Sequence, residues 1–141
     1  MIEFFLPMKK IPTTTHQQKK VNVRNGKPVF YEPVELQNAR AKFEGLLARH
    51  VPPDKIQGAV RLTVKWCFPM IKGIYDGQYK TTKPDTDNLQ KLFKDCMTKV
   101  GHWNVDAQVA TEISEKFWAK IVGISVRVEE LALIHLSEPT R

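Results

Sequence analysis

Acid is scarce where this chain begins. Residues 1–30 contain one, Glu3, against six bases, Lys9, Lys10, Lys19, Lys20, Arg24 and Lys27. Cysteine is nearly absent as well, with Cys67 and Cys96 the only two in 141 residues. One falls in an apolar strand-like run and the other on an apolar helical stripe, so both are expected as buried thiols of a reducing compartment, and a disulfide scaffold is excluded. The four histidines are scattered, which leaves zinc without ligands at a suitable spacing. No apolar run approaches the ~20 residues of a membrane span. The opening Ile2-Glu3-Phe4-Phe5-Leu6 is short, carries an acid and lacks a basic lead-in, so it reads as a strand and not as a signal peptide. No internal repeat is evident.

What is present describes one globular unit. Hydrophobic residues make up 42% of the chain and prolines number nine, a composition for a packed core with several extended loops. A domain of this length buries roughly two-thirds of its unfolded surface. The net charge of +7 favours a polyanionic partner, nucleic acid before membrane. Much of that charge lies between Pro7 and Lys27, where Pro12, Thr13, Thr14, Thr15, His16 and Gln17 add short polar groups suited to a phosphate backbone. The plainer alternative for this stretch is a solvated arm.

Hydrophobic periodicity sets out the elements. Asn25-Gly26 is a hairpin turn between extended Lys20 to Arg24 and Lys27 to Tyr31. Glu32-Pro33 opens a helix with apolar Leu36, Ala39, Phe43, Leu46 and Leu47, ending near His50. From Gln57 to Phe68, Val60, Leu62, Val64, Trp66 and Phe68 alternate with polar residues as a half-buried strand, with Trp66 in the core. Met70 to Thr82 is a loop whose Tyr75, Tyr79, Lys72 and Lys80 either stack on exposed bases or simply cover the loop's own base. After a central helix, Val109 to Phe117 and Ile121 to Val128 alternate again and are expected to pair as neighbouring antiparallel strands. The fold class expected is α+β: a single domain, with a mixed or mainly antiparallel sheet and two principal helices. Its span is residues 1–130. Residues 131–141, with Leu131, Leu133, Ile134 and Leu136, break the pattern and form a tail of unassigned role.

The chemistry gathers at Lys83-Pro84-Asp85-Thr86-Asp87-Asn88-Leu89-Gln90-Lys91. Pro84 keeps Lys83 out of the helical region, so the chain reaches Asp85 extended. In extended chain Asp85 and Asp87 point to one side, whereas a helix would set them on opposing faces. Leu89, Leu92, Phe93, Cys96, Met97 and Val100 then predict an amphipathic helix that Gly101 ends. Asp87 is placed as its N-cap, with Gln90 as capping-box partner. That role leaves Asp85, Lys91 and Asp106 unexplained. Paired carboxylates at the positive end of a helix, beside an ammonium, suit a hard divalent cation and a transferring phosphate; Mg²⁺ takes one or two protein carboxylates and fills its remaining positions with water and substrate oxygens. Asp106 opens the next strand nineteen residues beyond Asp87, about a helix and a turn away, so a return to the pair is geometrically open to it. Its ordinary alternative is a turn aspartate.

Asp85-x-Asp87-Asn88-Leu89-x-Lys91 at a helix start, then Thr98-Lys99-x-Gly101-x-Trp103, then Asp106-Ala107-Gln108-Val109, resembles the RusA family of Holliday-junction resolvases. The likeness runs without a gap from Asp85 to Val109 and more loosely over residues 1–130. It implies a Mg²⁺-dependent endonuclease that works as a homodimer in recombination and repair, cutting two opposed strands of a four-way or otherwise branched DNA. The family's essential aspartates correspond to Asp85, Asp87 and Asp106, as catalytic residues and metal ligands, and its catalytic lysine to Lys91. Lys9, Lys10, Lys19, Lys20, Lys80 and Lys83 are then the candidates for holding DNA. Such proteins are common in bacteria and prophages, which implies a cytoplasmic, nucleoid-associated setting. Two positions depart from the pattern: Val105 stands where many members carry a second acid, and Pro84 where many carry a base. A non-catalytic binder of branched DNA is the competing reading, with the basic arm supplying affinity and the acids structural. A nucleotide-sugar transferase built on Asp-x-Asp is excluded by the absence of a nucleotide-binding sheet with alternating helices.

Overall fold

In the computed structural model residues 1–13 and 20–132 are described. Lys19 and most of the expected tail, from residue 133 on, lie outside the described residues. The elements run β1 (Ile2–Pro7), β2 (Lys20–Arg24), β3 (Lys27–Tyr31), α1 (Val34–Leu47), β4 (Val60–Pro69), α2 (Thr86–Val100), β5 (Val109–Ala119) and β6 (Gly123–Glu130). β2 and β3 form a separate hairpin. Its turn places Asn25 at φ 52° and Gly26 at φ 74°, the doubly left-handed geometry that an Asn-Gly pair adopts at little cost.

The main sheet is mixed, in the order β1-β6-β4-β5. β4 is the central strand because it carries the strongest alternation: Val60, Leu62, Val64, Trp66 and Phe68 are buried on one face, Arg61, Thr63, Lys65 and Cys67 less so on the other. Two corrections follow. β5 and β6 are not neighbours; β4 lies between them, parallel to β5 and antiparallel to β6. A short connection made them look like a hairpin, but β4, whose Val60, Leu62, Val64, Trp66 and Phe68 form a continuous apolar face, takes one of the two inner positions beside β6, where both of its edges are paired. Cys67 also falls on the more open face and is only half-buried, because the two-residue period puts it with Lys65 and not with Trp66.

Both helices pack on the apolar face. Phe93 of α2 meets Phe43 of α1 edge-on at 5.2 Å and Trp66 of β4 at 5.2 Å. Leu89, Leu92, Phe93, Cys96 and Met97 are buried, which is the expected stripe. Burial pushes the Cys96 thiol up to about 12, so it is inert. Arg40 of α1 reaches Asp95 of α2 at 2.7 Å and Glu32 at 2.8 Å, fixing the helix pair across its partly exposed seam. Pro33 is the N-cap of α1, and a short 3-10 turn, Ala48–His50, ends it where expected.

Candidate functional site

α2 begins as soon as the proline restriction ends. Asp85 is extended (φ −73°, ψ 146°) and takes the N-cap position, with no side chain capping the helix. The expected capping box is thus corrected: Asp87 sits inside the first turn and Gln90 lies beyond it. With the helix starting at Thr86, Asp85 stays outside it and Asp87 falls within its first turn, so the two acids do not share one extended segment. Asp85 lines one depression with Thr13, Lys83, Pro84 and Asn88. Asp87 lines another, a groove of about 370 Å³, with Gln90, Lys91, Lys94, Asp106 and Glu112.

The groove is a seam between one stripe of α2 and the start of β5. Asp87, Lys91, Lys94 and Thr98 follow one another at helical steps of four, three and four, so they form a ridge. Lys94 pairs with Glu112 of β5 at 3.2 Å. Lys91 is exposed, and among the described residues no ion pair joins it to Asp87. The plainer reading of Lys91, as a helix-stabilising partner of Asp87, therefore has no contact behind it.

Asp106 is brought back to this ridge by a chain of identifiable bonds. Gly101 caps α2 at φ 100°, its N–H turning back to the carbonyls of Met97 and Thr98. That left-handed conformation is one for which glycine has no steric penalty. Trp103 is fully buried and anchors the return. Gln108 then clamps the turn: Oε1 accepts the N–H groups of Asn104 (2.7 Å) and Val105 (3.0 Å), and Nε2 donates to the carbonyls of Ile56 (2.8 Å) and Gly58 (3.1 Å). Asp106 opens a 3-10 turn, Asp106–Gln108, and not the strand itself, which starts at Val109. The Thr98 hydroxyl donates to Asp106 Oδ1 and accepts Trp103 Nε1–H at 2.6 Å. α2 thus holds Asp106 directly.

Asp85 is located from the other side. The loop before it lies along the outer edge of β5, with N–H groups of Gly77, Trp118 and Lys80 bonded to the carbonyls of Trp118, Gln78 and Lys116. Lys116 Nζ donates to the carbonyls of Thr82 and Pro84, both at 2.6 Å. The residues delivering Asp85 are tied to the same strand that Asp106 precedes.

Hard oxygen donors suit Mg²⁺, and two carboxylates on one groove are as many as it needs from protein when substrate oxygens complete its shell. Asp87 and Asp106 fit that requirement. Among the described residues no three of His, Cys, Asp and Glu are gathered closely enough to hold an ion unaided.

The candidate DNA lysines fare differently from one another. Lys9, Lys10 and Lys83 are exposed, and Lys83 stands beside Asp85. Lys80 lies over the rings of Trp118 (4.3 Å) and Phe68 (5.3 Å) and donates to Thr82 Oγ1; burial lowers its affinity for a proton. It braces the loop. Lys20 is described only by its place in β2. Tyr79 packs on Phe117 of β5 at 4.7 Å and donates to Glu115 at 3.1 Å, while Tyr75 is 81% exposed.

Lys94 and Glu112 line the groove without having been singled out from sequence, and Gln90 was expected only as a capping-box partner. Lys94 shares the helical stripe of Asp87 and Lys91, a signal that was readable. Glu112 depends on how β5 docks. Gln90 is 6% exposed with neither Oε1 nor Nε2 partnered among the described residues, an arrangement that ordinarily costs about 1–3 kcal/mol.

Comparison with known proteins gives a consistent set. A family model described as endodeoxyribonuclease RusA matches residues 10–129. The chain is 32% identical over 131 residues to the crossover junction endodeoxyribonuclease rusA of Lactococcus phage r1t, covering 92% of this chain and 98% of that one. It is 27% identical over 122 residues to the uncharacterized protein YqaN of Bacillus subtilis (strain 168), covering 79% of this chain and 85% of that protein.

Proposed function

The chain belongs to the RusA family of endodeoxyribonucleases, and from that membership we propose that it resolves four-way DNA junctions by paired nicks, with Mg²⁺ as cofactor. The observation that carries this reading is the groove in which Asp87, Lys91 and Asp106 meet, an acid pair and a free ammonium on one exposed seam. Lys83 and Asp85 line a second depression at the helix start.

In the hydrolysis a water oxygen bonds to phosphorus, the ester bond to the leaving sugar oxygen breaks, the water's proton goes to solvent, and the departing alkoxide takes a proton. Asp87 and Asp106 would hold the cation, with Asp85 at the helix start as a third candidate ligand, and the cation would supply Lewis-acid stabilisation of charge on the phosphate and acidify the attacking water. Lys91 Nζ lies one turn beyond Asp87 and neutralises charge on the phosphorane or protonates the leaving oxygen. The exposed Lys9, Lys10 and Lys83 hold phosphates on either side, with Lys19 and Lys20 of the basic arm. A homodimer follows from the substrate, since two opposed cuts on a two-fold junction match a closed two-fold enzyme. Recombination and repair in a bacterial or prophage-bearing cytoplasm, at the nucleoid, are the setting this activity serves.

The test is strand cleavage of a synthetic four-way junction against a linear duplex of the same sequence, with Mg²⁺ and with chelator, for the wild type, Asp85→Asn and Asp87→Asn. Paired nicks in the junction alone, dependent on metal and lost in both variants, are expected. Tight, salt-sensitive junction binding with no cleavage under any metal would identify a binding protein instead.

A further inference from the structure

Gln90 is the residue on the apolar side of α2 that does not belong there. Leu89, Phe93 and Met97, its neighbours on that side of the helix, are buried hydrophobics. Gln90 is buried with them, yet carries two donors and an acceptor that no described residue satisfies. It is too far along the helix to serve the first turn, whose N-cap is Asp85, so its sequence-level explanation is gone. It also lines the groove with Asp87, Lys91 and Asp106. A buried amide kept unpaired at the wall of such a groove is explained by a ligand that both gives and takes hydrogen bonds.

We propose that Gln90 is a catalytic residue that orients the attacking water: Oε1 accepts a proton of the water, and Nε2 donates to a non-bridging oxygen of the scissile phosphate. Phosphate alone accepts and cannot satisfy Oε1. The cations of the groove donate, but Lys91 is exposed to solvent and Lys94 is held by Glu112 at 3.2 Å. Water joined to phosphate satisfies both ends of the carboxamide at once. A neutral group also adds no charge between the carboxylates and the incoming phosphate, so it aligns the nucleophile without repelling the substrate. The role rests on the nuclease reading of this same groove.

The experiment compares wild type with Gln90→Met, close in length and without polar atoms, and with Gln90→Asn, which keeps the amide one methylene shorter. Single-turnover junction cleavage at saturating protein, junction affinity in chelator and thermal unfolding are measured together. For Gln90→Met, cleavage is expected to fall by about 10²-fold or more, with affinity within about twofold and the unfolding temperature unchanged or raised, because an unpaired buried amide has been removed. Gln90→Asn is expected to retain part of the activity. Wild-type cleavage by Gln90→Met overturns the assignment. So does a cleavage loss that follows a lowered unfolding temperature, or failure of this variant to fold, since either shows that the amide is a structural partner of the core. A wild type that cuts no junction would sink the nuclease reading and, with it, the water; cleavage by wild type and by Gln90→Met alike sinks the water alone.

Discussion

Lys91 sits one turn after Asp87, where two quite different energies meet. An i,i+4 pair on a helix surface is worth a few tenths of a kcal/mol, whereas a preorganised cation at a developing oxyanion is worth several. The absence of an ion pair between the two favours the second. Lys91→Ala is therefore expected to lower single-turnover junction cleavage by about 10²- to 10³-fold, while its denaturant midpoint stays close to that of wild type. Cleavage reduced only as far as stability is reduced would return Lys91 to the helix surface. Sequence was informative here, because Lys91 and Asp87 share a face by helical spacing alone. It was misleading two residues earlier: whether Asp85 and Asp87 share a side depends on whether the helix starts at Thr86 or at Asn88, and local propensity does not separate those starts.

At the level of elements, Asp106 is placed by connections and not by its own segment. Gln108 bonds two N–H groups of the turn and two carbonyls of the chain before β4, so one side chain holds the approach to Asp106 against the sheet. Gln108→Ala leaves those groups to find water. A destabilisation of about 1–3 kcal/mol is expected, read by urea unfolding, together with a cleavage loss larger than the stability loss explains, because the turn carrying Asp106 is freed. Activity equal to wild type in the folded variant would mean that Thr98 and Trp103 alone suffice to hold the acid. The central position of β4 belongs to this scale as well. Its alternation was legible residue by residue, but its neighbours were not, since pairing depends on which strand offers the most apolar area to both sides.

For the whole molecule the most telling buried group is His102. It is fully enclosed beside Phe4 and Trp103, and burial holds its pKa down to about 4, with His50 contributing in the same direction. In the unfolded chain the imidazole titrates at the ordinary value of 6.5. Between those limits the unfolded state binds the extra proton, so stability is complete above about pH 6.5 and is lost as pH falls toward 4. The loss amounts to on the order of 3 kcal/mol. Urea unfolding from pH 7 to pH 4 should show this decline, and His102→Met should flatten it whatever its stability at neutral pH. An unchanged slope in that variant would assign the acid sensitivity to other groups.

Composition, charge and periodicity by themselves determined an α+β domain, a polyanionic partner, the amphipathic α2, the Asn-Gly hairpin and the candidate acids with Lys91. These are properties of residue type and short-range spacing, which backbone geometry converts directly into faces and turns. Only the tertiary structure decided that β4 separates β5 from β6, that Cys67 lies on the open face, that Asp85 and Asp87 line different depressions, and that Thr98 and Gln108 hold Asp106. Each of these is a choice between arrangements of nearly equal local energy, settled by which packing buries the most apolar surface and leaves the fewest polar groups unpaired. Among the described residues Gln90 and His102 are buried side chains whose polar atoms this packing leaves without partners, and of the two Gln90 is the one that lines the groove.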